Sequence, residues 1–108
     1  MEASGWFGGR KKGSRDPAEG SFGIRVGMAN RQRHFDPVWT EIEVEMDGRP
    51  EVFRLTSGFW RNCPEFRDSG SPRIREWLRR HRSLAWDRGR PPRMTLLPLG
   101  GPRFRLEA

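Results

Sequence analysis

From residue 22 onward the hydrophobic positions follow two rhythms. In "FGIRVGMAN", Phe22, Ile24, Val26 and Met28 alternate with Gly23, Arg25, Gly27 and Ala29, the period of a half-buried strand. "VWTEIEVEM" repeats the pattern. Val38, Thr40, Ile42, Val44 and Met46 face one way, and Trp39, Glu41, Glu43 and Glu45 the other. "DGRP" then turns the chain into "EVFRLT". A four-residue loop over residues 47–50 sets Val44 opposite Phe53 and Ile42 opposite Leu55, with Glu43 beside Arg54 on the wet face. A two-residue Asp-Gly loop sets Val44 opposite Glu51, so the longer loop is expected. Near the end, "MTLLPL" and "RFRLE" flank a Gly-Gly turn that pairs Leu97 with Phe104 and leaves Arg103 and Arg105 on the opposite face.

The second rhythm is helical. Ser71 is the expected N-cap and Pro72 the first helical residue of a helix reading "RIREWLRRHR". At 3.6 residues per turn, Ile74, Trp77, Leu78 and His81 fall within an arc of about 100°, a core-facing stripe. Arg75, Arg79 and Arg82 form a second stripe beside it, and Arg73 and Arg80 lie on the other flank. The expected fold is therefore α+β: a mainly antiparallel sheet of about five strands in the order βββαββ, with one helix packed on one face.

Residues 1–21, "MEASGWFGGRKKGSRDPAEGS", lack either rhythm and are rich in Gly with a short basic run. They read as a flexible basic Gly/Ser-rich tail, and residues 22–108 as a single α+β domain. No apolar run is long enough for a signal peptide or a membrane span, and a single cysteine forms no internal disulfide. The expectation is a soluble, cytoplasmic protein with no membrane partner.

Charge sharpens this picture. The chain has 108 residues and a net charge of +7, and residues 61–93 alone carry +6 while residues 38–60 carry −3. All the basic residues but Lys11 and Lys12 are arginine, the side chain suited to bidentate phosphate contacts and to stacking.

Catalytic chemistry finds little material. Cys63 with His34 or His81 would be nucleophile and base, but Cys63 lies among Trp60, Pro64 and Phe66, and His81 lies in the apolar stripe of the helix. A buried thiol and a core histidine are the simpler readings. One Cys and two His fit no zinc-ligand spacing. Glu41, Glu43 and Glu45 share a strand face that could hold a divalent cation, but a solvated strand face paired with Arg54 is the simpler reading. Walker-type and dinucleotide-binding glycine patterns are absent. No catalytic residue, metal or cofactor is expected, and an enzyme is less expected than a binding protein.

What remains is a surface for phosphate. Arg73, Arg75, Arg79, Arg80 and Arg82 on the helix, with Arg88, Arg90 and Arg93 in the connector "DRGRPPR", make the footprint of a face that binds DNA or RNA backbone. Trp39, on the outer sheet face with Arg25, Arg54, Arg103 and Arg105, is a candidate stacking platform for an unpaired base. The expected protein is a small basic nucleic-acid-binding or accessory protein. The alternative is a non-enzymatic protein-interaction module, meeting an acidic partner or forming a homodimer in which the acidic strand of one copy meets the arginine ladder of the other. A solvated arginine-rich surface is the plainest account of the same residues.

Overall fold

Among the described residues, seven strands and three short helices form where five strands and one helix are expected. The computed structural model describes residues 1–9 and 20–108. In chain order the elements are β1 (Glu2–Phe7), β2 (Phe22–Arg25), α1 (Met28–His34), β3 (Glu41–Met46), β4 (Arg49–Arg54), α2 (Ser57–Trp60), β5 (Glu65–Arg67), α3 (Arg73–His81), β6 (Arg93–Gly100) and β7 (Arg103–Glu107). They make one sheet in the order β4-β3-β7-β6-β1-β2-β5. Every neighbouring pair is antiparallel except β3 with β7, which is parallel. The sheet curls until its edges β4 and β5 face each other, with the Phe53 and Phe66 rings 5.1 Å apart across the gap. The result is a mixed, nearly closed barrel, and the expected mainly antiparallel five-stranded sheet is overturned.

The largest departure is at the start of the chain. Glu2–Phe7, expected to belong to a flexible tail, is a strand in the sheet interior between β6 and β2. Its inward positions are the small residues Ala3 and Gly5, both buried, which contribute almost nothing to a hydrophobic pattern. Their smallness has a structural use. A Cβ on Gly5 would stand 2.9 Å from Pro92 Cγ and 3.4 Å from Trp86 Cη2, so only glycine lets the connector before β6 lie this close to β1. Residues 10–19 of the expected tail lie outside the described residues.

Two hairpin registers also differ from expectation. Asp47 (φ 51°) and Gly48 (φ 80°) both take positive φ, as a two-residue type I′ turn requires, so Val44 faces Glu51 and Ile42 faces Phe53. The polar residue on the inward face is tolerated because β4 is an edge strand and Glu51 meets a cation there, Arg73 Nε at 2.8 Å. In the β6–β7 hairpin a bulge between Pro98 and Gly100 shifts the pairing, so Phe104 lies opposite Pro98 rather than Leu97.

The strand expected from residue 22 stops at Arg25, because Gly27 (φ 85°) breaks the extended backbone and α1 follows. α1 buries none of its residues, which explains why no apolar stripe announces it. Its polar side chains act as ties. Asn30 Nδ2 donates to the carbonyls of Glu2 and Val26, and Arg31 Nη1 donates to those of Phe59 and Arg61.

α3 buries Ile74, Trp77 and Leu78, as the periodicity requires. Its cap is not Ser71. Gly70 turns the chain (φ 84°), and the carboxylate of Asp68 accepts from the backbone N–H of Ile74 at 2.7 Å and of Arg75 at 3.0 Å. Two otherwise unpaired N–H groups are thereby satisfied from upstream. Burial pushes the Asp68 carboxyl up, against the opposing pull of those two N–H groups and of Arg75 and Arg73. The helix crosses the mouth of the barrel where β3 turns into β4. At the opposite mouth Phe35 stacks on Phe104 at 4.9 Å and tilts against Phe59 at 5.1 Å.

Candidate nucleic-acid interface

α3 and the connector after it bring the predicted arginines onto one end of the barrel, and the rest of the fold brings carboxylates to meet them. Arg73 pairs with Glu51 of β4, and Arg80 Nη2 lies 2.7 Å from Asp47 Oδ2 in the β3–β4 turn. Glu76 sits between the ladder residues Arg75 and Arg79, 3.6 Å from the first and 3.7 Å from the second. Arg82 turns back instead, donating from Nε to the Arg93 carbonyl at 3.2 Å and from Nη1 to the His81 carbonyl at 2.8 Å. Arg93 opens β6 and forms a close ion pair with Glu2. Arg88 and Arg90 are exposed in the connector and have no carboxylate partner among the described residues. The eight predicted arginines thus share one region, but several are neutralised by partners distant in sequence.

Between α3 and the β3–β4 turn lies an open cleft of about 610 Å³ lined by Met46, Asp47, Arg49, Glu51, Pro72, Arg73, Glu76, Arg80 and His81. His81 Nε2 and Asp47 Oδ1 are hydrogen-bonded at 2.7 Å, and the His81 ring lies 4.8 Å from Trp77. His81, expected in the core, is therefore half-exposed at the cleft, with its polar edge on a carboxylate. Desolvation pushes the Asp47 carboxyl up, but the hydrogen bonds and charges of His81 and Arg80 outweigh it and hold the group below its ordinary value of 3.8. A carboxyl lowered on folding adds stability above its unfolded pKa and loses it as pH falls through the folded value. Melting temperatures measured between pH 2 and 6 should therefore show a shallower acid-side fall for Asp47→Asn than for the parent. Asn also suits the positive φ of the turn, so the substitution removes the charge and little else. Parallel curves for the two proteins would mean that the triad with Arg80 and His81 does not contribute.

The remaining candidates fall elsewhere. Trp39 precedes β3 and is half-buried, its ring 6.1 Å from Phe35 and 6.3 Å from Phe104 in edge-on contacts, so it packs on the core cluster instead of standing open on the sheet. On the outer sheet face Arg103 bonds Glu43 at 3.1 Å and Arg105 bonds Glu45 at 3.2 Å, adjacent pairs of the parallel ladder. Arg103 and Arg105 thus occupy two glutamates, Glu43 and Glu45, of the acidic strand that the charge-exchanging homodimer would turn to a second copy. Cys63 is half-buried on the α2–β5 link, which lies toward the mouth opposite α3. No group of three His, Cys, Asp or Glu side chains is placed to hold a metal among the described residues.

One arrangement escapes a reading of the sequence because it begins in the supposed tail. The guanidinium of Arg67 lies 4.3 Å over the Trp6 ring, and Arg67 Nη2 donates to Glu65 Oε1 at 3.0 Å. Gly23 lies between the two rows: a Cβ there would approach the Phe66 carbonyl to 2.5 Å and Trp6 Cε3 to 3.1 Å. The period-2 spacing of Glu65 and Arg67 was visible in the sequence, but Trp6 and its strand were not.

No protein-family model matches the chain, and no curated protein or solved structure matches it significantly. No helix among the described residues is long and apolar enough to cross a membrane.

Proposed function

We propose that the protein is a small basic nucleic-acid-binding or accessory protein without catalysis of its own, contacting phosphates through the outer stripe of α3 and the connector that follows it. The observation that carries this reading is the continuity of that surface. Arg82 ties the end of α3 to the start of β6 through the Arg93 carbonyl, so Arg79 on the helix and Arg88 and Arg90 on the connector belong to one structural unit, and the two connector arginines have no carboxylate partner among the described residues to compete with a phosphate. Where a carboxylate is present, as at Arg79, the pair is long and at the surface. Such pairs are worth about 0–1 kcal/mol, less than the counterion release a phosphate brings. Little reading of base sequence is expected, since Trp39 is turned to the core and the donors are aimed at backbone charge.

The test is fluorescence anisotropy of labelled single-stranded and duplex DNA and RNA across a salt series. Log affinity should fall linearly with log salt, with one nucleic-acid type preferred. Glu76→Gln should tighten binding, because it removes the carboxylate that pairs with Arg79. Binding that vanishes near physiological salt for every probe, or a Glu76→Gln protein no tighter than the parent, would overturn the assignment of this face.

A further inference from the structure

We infer that the seam between the edge strands β4 and β5 is a binding site for a phosphomonoester dianion, held by Arg54, Arg67 and Arg73 with the hydroxyls of Ser69 and Ser71. The seam is a groove of about 160 Å³ lined by these five residues with Val52 and Phe53. Among five of the best-formed clefts of the described residues it is the one lined by several arginines and by no carboxylate.

The fold decides what can enter. No ladder joins β4 to β5, yet their Cα atoms come within 8 Å. A peptide strand inserted between them needs its two neighbours roughly 9–10 Å apart, twice the spacing of adjacent strands. The seam is too narrow for that, and behind it the Phe53 and Phe66 rings close the way to the interior. An apolar floor and a cationic rim suit a compact anion at the end of a molecule, not a chain running through.

Two of the three guanidinium groups are already held. Arg67 rests on Trp6 and gives only Nη2 to Glu65. Arg73 gives Nε to Glu51 at 2.8 Å and Nη1 to the Val52 carbonyl at 3.4 Å. Each keeps further N–H groups of its five for another acceptor. Arg54 is exposed and has no carboxylate partner among the described residues. Arginines fixed in advance lose less freedom on binding and can grip two oxygens of one phosphate.

Glu65 supplies an independent reason. Its side chain is 2% exposed, and Oε2 has no hydrogen-bond partner among the described residues. A half-satisfied buried carboxylate is costly, and its visible effect here is to fix Arg67. That cost is explained if Arg67 has to be in place for a ligand. The helix end contributes nothing, because Asp68 already occupies the first N–H groups of α3.

Only Arg73 belongs both to this site and to the proposed nucleic-acid face, so the two readings fail separately. The experiment is a ¹⁵N–¹H NMR titration of the full chain with inorganic phosphate at constant ionic strength, alongside anisotropy with a 5′-phosphorylated and a 5′-hydroxyl single-stranded DNA of one sequence. Saturable shifts at Arg54, Arg67, Ser69 and Ser71 are expected. Arg67→Gln strips Glu65 of its counterion and so reports on folding as well, which makes Arg54→Gln the deciding variant. Its affinity for phosphate should fall about tenfold, the value of one charge-assisted contact, with an unchanged melting temperature.

Tighter binding of the phosphorylated strand, lost in Arg54→Gln, would identify the ligand as a nucleic-acid end. Equal binding of the two strands with saturable phosphate shifts would identify it as a small phosphorylated molecule. Shifts that are absent, or identical in Arg54→Gln, would overturn the site. Failure of the nucleic-acid reading would show instead as loss of salt-dependent binding by the 5′-hydroxyl strand, with the phosphate titration intact.

Discussion

Trp77→Ala is expected to lower the free energy of unfolding by about 3–5 kcal/mol, as truncation of a fully enclosed large aromatic does. Trp77 is 1% exposed, and it heads the large, fully buried side chains together with Phe22, Phe59, Phe66 and Phe104. It lies on the single face by which α3 closes the barrel mouth, flanked by Ile74 and Leu78. A helix of 9 residues has too few turns to persist without such packing, so the lid loses its anchor and the core beneath it gains a void. Against a total stability of about 5–15 kcal/mol for domains of this kind, that is a large share. Urea unfolding followed by tryptophan fluorescence and circular dichroism checks it. The midpoint should fall with little change in slope, as expected when folded-state packing alone is altered. A variant as stable as the parent would mean that α3 does not seal the barrel.

The second large effect concerns binding. Replacing Arg79, Arg88 and Arg90 together by Gln should lower the slope of log affinity against log salt by about 2.7 on duplex DNA, at roughly 0.9 for each lost phosphate contact. The melting temperature should stay nearly the same. These three are chosen by what they do not hold: Arg79 has only a surface pair at 3.7 Å with Glu76, and Arg88 and Arg90 have no carboxylate partner among the described residues. Arg82, by contrast, bonds two backbone carbonyls, and Arg75 is half-buried on the helix, so their loss would mix folding with binding. An unchanged slope in the triple variant would remove the connector from the interface and with it the proposed function.

What the sequence makes legible follows from how local the cause is. α3 is readable because its stripe of Ile74, Trp77 and Leu78 repeats within one element, and β3 because Ile42, Val44 and Met46 alternate with glutamates. β1 is hidden because Ala3 and Gly5 bury themselves by being small. The β3–β4 register goes astray on the premise that each inward position is apolar. Glu51 breaks that premise at an edge strand, where Arg73 arrives from α3. Asp68 rather than Ser71 caps the helix because a glycine turn, not sequence adjacency, brings it there. For the site, the positions of the arginines are legible but most of their neutralising partners are not, since Glu51, Asp47 and Glu2 reach them only through the closed sheet. Glu76, three residues before Arg79, is the exception. Trp39 keeps the phase of the alternation but precedes the strand, which begins two residues later, at Glu41.

β1 also governs the order in which the sheet can be completed. Glu2 and Arg93, joined across the β1–β6 ladder, stand 91 positions apart, so this interior strand finds one of its two partners only when β6 has been made. Pairings of such long range close slowly, because chain entropy is spent before contacts return it. Until β1 and β6 pair, each presents an open edge, and such edges invite association with other chains. Without β1 the order of strands divides into β4-β3-β7-β6 and β2-β5. Its pairing with β6 on one side and β2 on the other is what joins these two parts into one sheet.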